Sequence, residues 1–112
     1  MISKDNAEHY NWGDHCDGWY LVKRQDMSII HERMPSGAKE KKHYHHQSRQ
    51  FFFVLSGVLT MELNGEIHTL PAQTGIEIPP GTIHQASNSS DSALEFMVIS
   101  HPTTRGDRID LS

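Results

Sequence analysis

Apolar and polar residues alternate along several short stretches of the chain, which is the pattern of β-strands with one face against a core. The clearest stretch is residues 58–63, in which three apolar residues share the predicted core face: Leu59, Met61 and Leu63. Asn64-Gly65 follows directly, and residues 67–70 resume the strand pattern. Because Asn-Gly between two strands indicates a type I′ turn, we predict a β-hairpin here.

Further strands are predicted over five stretches: residues 19–22, 27–34, 51–55, 76–78 and 94–100. Residues 51–55 are continuously apolar, which predicts a strand buried on both faces. Residues 27–34 are ambiguous, because either of two faces fits the interior: Ile29, His31 and Arg33, or Ile30, Glu32 and Met34. Since no stretch repeats its apolar residues at the 3.6-residue period of a helix, the sequence predicts an all-β sandwich or barrel with little helix.

Length and composition favour one globular domain. The chain has 112 residues, of which 36% are hydrophobic and 21% charged, and its formal net charge is −4. That balance gives no basic surface for nucleic acid. No apolar run is long enough for a signal peptide or a membrane span, and the single cysteine, Cys16, cannot form an intrachain disulfide. We therefore expect a cytoplasmic protein without a nucleic-acid or membrane partner, divided into an N-terminal arm (1–18), a barrel (19–100) and a C-terminal tail (101–112).

Histidines supply the candidate chemistry. His43 and His45 are two residues apart, so in an extended strand both imidazoles point to the same side. Gln50 follows after four intervening residues, and His84 lies behind the turn sequence Pro79-Pro80-Gly81. Three imidazoles and one amide oxygen could surround a single divalent transition metal, and this donor set is compatible with Fe, Ni, Mn, Cu or Zn. If Gln50 does not coordinate, three histidines would still leave open positions for water or substrate.

The spacing of these residues resembles the two sequence motifs of the cupins. The first motif is matched by Gly37, His43, His45, Gln50 and Gly57, and the second by Pro79, Gly81, His84 and Asn88. Two positions depart from the family pattern, since Gln50 replaces the usual glutamate and Gln73 replaces a glycine. The resemblance implies a small single-domain cupin, which is a double-stranded β-helix or jelly-roll barrel that binds a metal and forms homodimers.

Replacing the usual carboxylate with Gln50 has two chemical consequences. The bound ion would keep more of its positive charge, which favours an anionic ligand or substrate. The site would also lack the motif's candidate general base, so no catalytic residue is assigned from the sequence. The predicted pocket walls are Phe52, Val54, Leu59, Met61, Ile76 and Ile78, with His31 and Arg33 added if their face of the strand points inward.

The resemblance leaves several functions open. A metal-dependent enzyme acting on a small organic molecule in the barrel is the first hypothesis, with dioxygenase-like chemistry ahead of sugar or sugar-phosphate isomerase and lyase reactions. A small-molecule-binding cupin without catalysis is the second hypothesis, and a barrel that has lost its metal is the third. The N-terminal arm and open sheet edges offer surfaces through which a homodimer could form.

Overall fold

The computed structural model describes residues 1–111, and these residues form eleven β-strands and no helix. The strands are β1 (Glu8–Trp12), β2 (Cys16–Lys23), β3 (Ser28–Met34), β4 (His43–His45), β5 (Arg49–Ser56), β6 (Leu59–Leu63), β7 (Glu66–Leu70), β8 (Gly75–Ile78), β9 (His84–Ser87), β10 (Leu94–His101) and β11 (Arg108–Asp110). A six-stranded sheet has the order β1-β2-β3-β10-β5-β8, and a five-stranded sheet has the order β11-β4-β9-β6-β7. The all-β prediction is confirmed. Within residues 1–111 there is no helix long and apolar enough to cross a membrane.

Two turns show how local sequence sets the strand connections. Asn64 and Gly65 both have positive φ, 48° and 87°, as the predicted type I′ turn between β6 and β7 requires. Gln73, which stands where the family pattern has glycine, also has a positive φ, of 67°. Its backbone N–H donates a 2.8 Å hydrogen bond to the Val54 carbonyl. The turn therefore keeps the left-handed conformation that glycine adopts most easily.

The core lies between the two sheets. Its fully buried apolar side chains come from both: Met34, Val54, Leu94 and Phe96 from the six-stranded sheet, and Leu59 and Met61 from the five-stranded sheet. The rings of Phe52 and Phe96 stack with their centroids 5.7 Å apart. Alternation along β5 points Gln50, Phe52 and Val54 inward. The core therefore ends, at Gln50, in a polar side chain.

The prediction that residues 51–55 are buried on both faces is wrong. Phe51 is 39% exposed and Phe53 is half-buried, because the outer face of β5 is not covered by another layer. Their rings stack on that outer face, with centroids 6.4 Å apart. The apolar run therefore belongs to a strand with one side in the core and an apolar outer side.

Both predicted terminal segments contribute strands to the sheets. Residues 1–18 include β1 and the start of β2, and residues 101–112 include β11, which pairs with β4. These strands lack a clear alternating pattern because they lie at sheet edges, where β1 has mostly exposed side chains and β11 entirely exposed ones. Strands outside residues 19–100 therefore belong to the same two sheets.

Candidate metal centre

The structure brings the three predicted histidines together. His43 and His45 lie on β4, and His43 pairs directly with His84 on β9. Ring centroids are 4.3 Å apart for His43 and His84, and 4.9 Å apart for His43 and His45. One ligating nitrogen from each ring lies within 4.8 Å of the others, and all three side chains are buried. This geometry is suited to one shared ion.

Backbone carbonyls determine which nitrogen of each ring is free. The Nδ1 atoms of His43 and His84 each lie 2.8 Å from a carbonyl oxygen, of Lys41 and Thr82 respectively. The Nδ1 of His45 lies 3.2 Å from the carbonyl oxygen of Asp107. A carbonyl only accepts hydrogen bonds, so each Nδ1 carries the proton and each Nε2 keeps a lone pair. Within residues 1–111, the buried Nε2 atoms of His45 and His84 have no hydrogen-bond partner.

Gln50 presents a matching acceptor. Its side-chain Nε2 donates a hydrogen bond of 3.2 Å to the hydroxyl of Ser100, its register partner on β10. Its Oε1 is buried and has no partner in the described part of the chain. Buried polar atoms are nearly always paired, and a cation is one partner that could satisfy the acceptors on Gln50, His45 and His84. A divalent transition metal fits this donor set.

Burial keeps the imidazoles neutral. Desolvation lowers the pKa of His43 to about 3 and that of His84 to about 4, and it also lowers the pKa of His45. A neutral ring is the form that binds a metal, so at neutral pH these residues would not have to release protons before coordination.

A cavity of about 160 Å³ lies beside the histidines. Metal-site residues and neighbouring core residues line one side: His43, His45, Gln50, Phe52, Val98 and Ser100. Aromatic and charged residues line the rest, chiefly Tyr10, Trp12, Tyr20, Glu32, Glu40 and Arg108. Aromatic surfaces combined with a few converging polar groups are typical of a small-molecule site.

The walls of this cavity differ from the predicted pocket. Phe52 lines it, but the other apolar residues predicted to do so pack in or against the core instead: Val54, Leu59, Met61, Ile76 and Ile78. β3 turns Ile30, Glu32 and Met34 inward, so His31 and Arg33 lie on the outer face. There His31 Nε2 lies 2.7 Å from a carboxylate oxygen of Glu95, and Arg33 lies 3.6 Å from Asp17. His31 and Arg33 therefore cannot recognise a ligand in this cavity.

Sequence reasoning missed several polar groups of this cavity. Tyr10 and Arg108 lie in the segments predicted as arm and tail, which have no pattern that indicates a site. Glu32 lies on one of the two strand faces between which the sequence does not decide. Glu40 lies in a basic stretch that resembles an exposed loop.

Glu40 lies behind His43, away from the free Nε2. Its Oε2 accepts a 2.9 Å hydrogen bond from the backbone N–H of Ala86, and its Oε1 lies 4.0 Å from His43 Nδ1. The Arg108 guanidinium is 3.8 Å from the same Oε1. Burial raises the pKa of Glu40 to about 7, although the hydrogen bond from Ala86 and the charge of Arg108 oppose that shift. Glu40 thus supports the ligand strand from outside the metal position.

Fold and site together define a β-barrel with three clustered histidines that could hold a metal ion, next to a small cavity. The family model described as the cupin domain matches residues 30–100, which include both histidine motifs, and the chain therefore belongs to the cupin family. An uncharacterised protein, MJ1618, from Methanocaldococcus jannaschii is 28% identical over 82 residues, covering 73% of this chain and 66% of that protein. The chain spans smaller shares, 36% and 38%, of two further curated relatives.

Solved structures share the fold at low sequence identity. A sugar phosphate isomerase of the cupin superfamily from Silicibacter pomeroyi has a TM-score of 0.80 and 21% identity, covering 92% of this chain and 76% of that one. A predicted oxalate decarboxylase from Thermotoga maritima has a TM-score of 0.84 and 14% identity, covering 92% of this chain and 99% of that one. At these identities the likeness establishes the cupin fold and leaves the reaction open.

Replacing Glu32 with glutamine should stabilise the protein increasingly as the pH rises. Burial, and to a lesser degree the charge of Glu40, raises the pKa of the Glu32 carboxyl from 4.5 to about 8. Between those values the unfolded chain has lost a proton that the folded protein keeps, so wild type loses stability as pH rises. Glutamine does not ionise, and urea unfolding of metal-free Glu32→Gln should show a growing advantage from about pH 5 to about pH 8.

The exposed hairpin residue Glu66 provides a matched control, since Glu66→Gln makes the same chemical change outside the cavity. Contributions from the histidines are common to wild type and both variants, so they cancel in the differences. Parallel stability curves for wild type and Glu32→Gln across this pH range would contradict the prediction.

Proposed function

We propose that this cupin is a metal-dependent enzyme that acts on a small organic molecule in the cavity beside His43 and His45. The observation that carries the proposal is the set of unpaired buried acceptors, the Nε2 atoms of His45 and His84 and the Oε1 of Gln50. Satisfying them with one cation would remove the free-energy cost of burying them unpaired. Without a bound partner, the unpaired acceptors would only weaken the fold.

His43, His45, His84 and Gln50 would hold the ion, and their chemistry is compatible with Fe, Ni, Mn, Cu or Zn. Such an ion supplies Lewis acidity, and redox chemistry as well if it is iron, copper or nickel. All four donors are neutral, so they leave the charge of a divalent ion uncompensated. This favours a substrate that is anionic or becomes anionic when it loses a proton.

Dioxygenase-like chemistry is the first reaction class that we propose. Three imidazoles and one neutral oxygen donor leave positions for a substrate and a further small ligand. Isomerisation of a sugar or sugar phosphate is the second candidate, and it is favoured by the carboxyl of Glu32 and the hydroxyl of Tyr10 in the same cavity. The fold shared with the Silicibacter sugar phosphate isomerase is compatible with it. A binding protein without turnover would use the same centre.

Metal binding should depend on the clustered histidines. His84→Ala removes one of three imidazoles and is expected to lower Zn²⁺ affinity by more than about 100-fold, because even partners outside the coordination shell contribute about 10-fold to 100-fold. Isothermal titration of metal-free protein with Zn²⁺ measures this, with one equivalent bound by wild type. His46→Ala is the control, since His46 is exposed and outside the cluster. Equal affinities of wild type and His84→Ala would refute the metal centre.

Oxygen consumption separates the proposed reaction classes. Protein loaded in turn with Fe²⁺, Ni²⁺ or Mn²⁺ is mixed with enediol and catechol compounds in an oxygen electrode, and products are followed by mass spectrometry. We expect consumption of one O₂ for each product molecule if dioxygenase chemistry is correct. Turnover at the same rate without oxygen would assign an isomerase or lyase. Binding of these compounds with no product under either condition would contradict the enzyme proposal and indicate a binding protein.

We also propose that the chain forms a homodimer through the outer face of its six-stranded sheet. Strand register places Ile29, Ile99 and Phe51 side by side across three strands, and Met97 and Phe53 form the neighbouring row. Basic and acidic side chains, joined in ion pairs, surround this apolar centre: Arg49 with Glu77, Lys4 with Glu95 and Arg33 with Asp17. A patch with an apolar centre and mixed charges at its rim can face a second copy of itself across a two-fold axis.

A charge in the centre of this face should prevent dimer formation. Phe51→Glu is expected to convert a dimer into a monomer, because an unpaired carboxylate would have to be buried in the interface. Light scattering coupled to size-exclusion chromatography gives the molar mass directly. Ile67→Glu is the control, since Ile67 is 59% exposed on the other sheet. A monomeric wild type, or an unchanged mass for Phe51→Glu, would rule out this interface.

A further inference from the structure

We propose that Glu32 is the proton-transfer residue of this cavity and that Tyr10 positions it. This inference rests on the proposed function, because it assigns a role within the same metal-dependent site. It supplies the carboxylate that Gln50 lacks, from a different strand of the same six-stranded sheet, facing the histidines on the other sheet.

A glycine on the middle strand allows Tyr10 to reach Glu32. Tyr10 on β1 pairs with Gly18 on β2, and Gly18 pairs with Glu32 on β3, so the three residues form one row across the sheet. A Cβ atom at Gly18 would lie 2.3 Å from Tyr10 Cζ and 2.6 Å from the Tyr10 hydroxyl oxygen. The tyrosine ring therefore lies over the glycine, in space that any other side chain would occupy. The Tyr10 hydroxyl is thus close enough to the Glu32 carboxyl group to lower the pKa of that carboxyl.

Glu40, Arg108 and the histidines are less available than Glu32 to exchange a proton with a bound molecule. Glu40 is held by the Ala86 N–H and lies on the Nδ1 side of His43. Arg108 donates a 2.6 Å hydrogen bond from Nε to Asp110, and a guanidinium does not release its proton at physiological pH. The histidines present lone pairs to the metal position. Glu32 is the carboxyl group that remains available to a bound molecule.

Glu32 is surrounded by few charges. Tyr10 faces it from β1, Cys16 from β2, and Glu40 and Arg108 from the opposite wall, with His43 and His45 lining the same cavity. Burial and the charge of Glu40 raise its pKa to about 8, while Arg108 and the Tyr10 hydroxyl act to lower it. A carboxyl group that titrates near neutral pH can both accept and return a proton, which is the property of an efficient acid–base catalyst.

The proposed step requires no further reactant. The Glu32 carboxylate takes a proton from a carbon next to a carbonyl group of the bound molecule. The electron pair of the broken C–H bond forms a carbon–carbon double bond, and the carbonyl electron pair moves to its oxygen. Glu32, now a carboxylic acid, returns a proton to the same carbon, and the carbonyl group re-forms. Where that carbon also carries a hydroxyl group, the proton can instead go to the former carbonyl carbon, while the hydroxyl proton moves to the former carbonyl oxygen and the hydroxyl oxygen becomes the new carbonyl. The molecule is left unchanged or isomerised, and the enzyme returns to its starting state.

Deuterium exchange into hydroxyacetone tests this step. The compound is small, carries acidic C–H bonds beside a carbonyl group, and offers two oxygens to a divalent ion. Zn²⁺-loaded wild type in D₂O should replace its C–H hydrogens with deuterium, observed as loss of proton NMR signal. Glu32→Gln should reduce the protein-dependent rate at least about 100-fold, the lower end of the usual contribution of a general acid or base. Glu66→Gln should exchange at the wild-type rate.

Tyr10→Phe tests the positioning role. It keeps the ring but removes the hydroxyl whose interaction with Glu32 lowers the pKa of that carboxyl, so the rising limb of the exchange rate against pH should move to higher pH. Glu32→Asp should restore part of the exchange lost in Glu32→Gln. Circular dichroism and Zn²⁺ titration of each variant show that the fold and the metal site are intact.

The possible results separate this inference from the proposed function. Retained Zn²⁺ binding with equal exchange in wild type and Glu32→Gln overturns the role of Glu32. Retained Zn²⁺ binding with no exchange by wild type also overturns it, while leaving the metal centre in place. An unchanged pH profile in Tyr10→Phe overturns the role of Tyr10. Absence of Zn²⁺ binding by wild type would instead refute the proposed function.

Discussion

Three hydrogen bonds from imidazole Nδ1 atoms to backbone carbonyls are the interactions on which the metal centre depends. They fix the tautomer of His43, His45 and His84 and turn each Nε2 lone pair away from the backbone. The arrangement is unfavourable without a cation, because each buried acceptor left unpaired costs about 1–3 kcal/mol. Folding of the metal-free protein must offset that cost through its core. Metal binding and stability are therefore coupled.

The C-terminal strand completes this centre. β4 has only three residues and pairs with β9 through a single register pair, His43 with His84, whereas β11 pairs with all three of its residues. The Asp107 backbone oxygen faces His45 Nδ1, and the Asp107 carboxylate accepts hydrogen bonds of 2.9 to 3.0 Å from the backbone N–H groups of residues 46–48. Much of the position of the ligand strand thus comes from residues that are more than 50 positions away in sequence.

The sequence was sufficient to place His43 and His45 on one side of their strand, because that placement depends only on neighbouring residues. Alternation along a strand places His43 and His45 on one side at any position in the fold, and the Asn64-Gly65 turn follows from its own two residues. It was insufficient for Tyr10 and Arg108, whose strands are short, lie at sheet edges and have no alternating pattern. Which face of β3 points inward is set by its packing in the folded sheet, so the residues of the strand alone did not decide it. The apolar outer face of β5 likewise cannot be distinguished from a buried one by composition alone.

Gln50 and Glu32 would have separate roles in the proposed function, Gln50 in metal coordination and Glu32 in proton transfer. A glutamate at position 50 would partly neutralise the ion and, once bound to it, would be a weak base, because the cation stabilises the carboxylate form. A neutral amide would preserve the charge of a bound ion, which would make hydroxyl or C–H groups of a bound molecule more acidic. Glu32 lies on another strand of the same sheet as Gln50, and burial raises the pKa of its carboxyl group to about 8. Placing the two groups on separate strands would let the ion stay strongly electrophilic while Glu32 stays basic, which a single carboxylate at position 50 could not achieve.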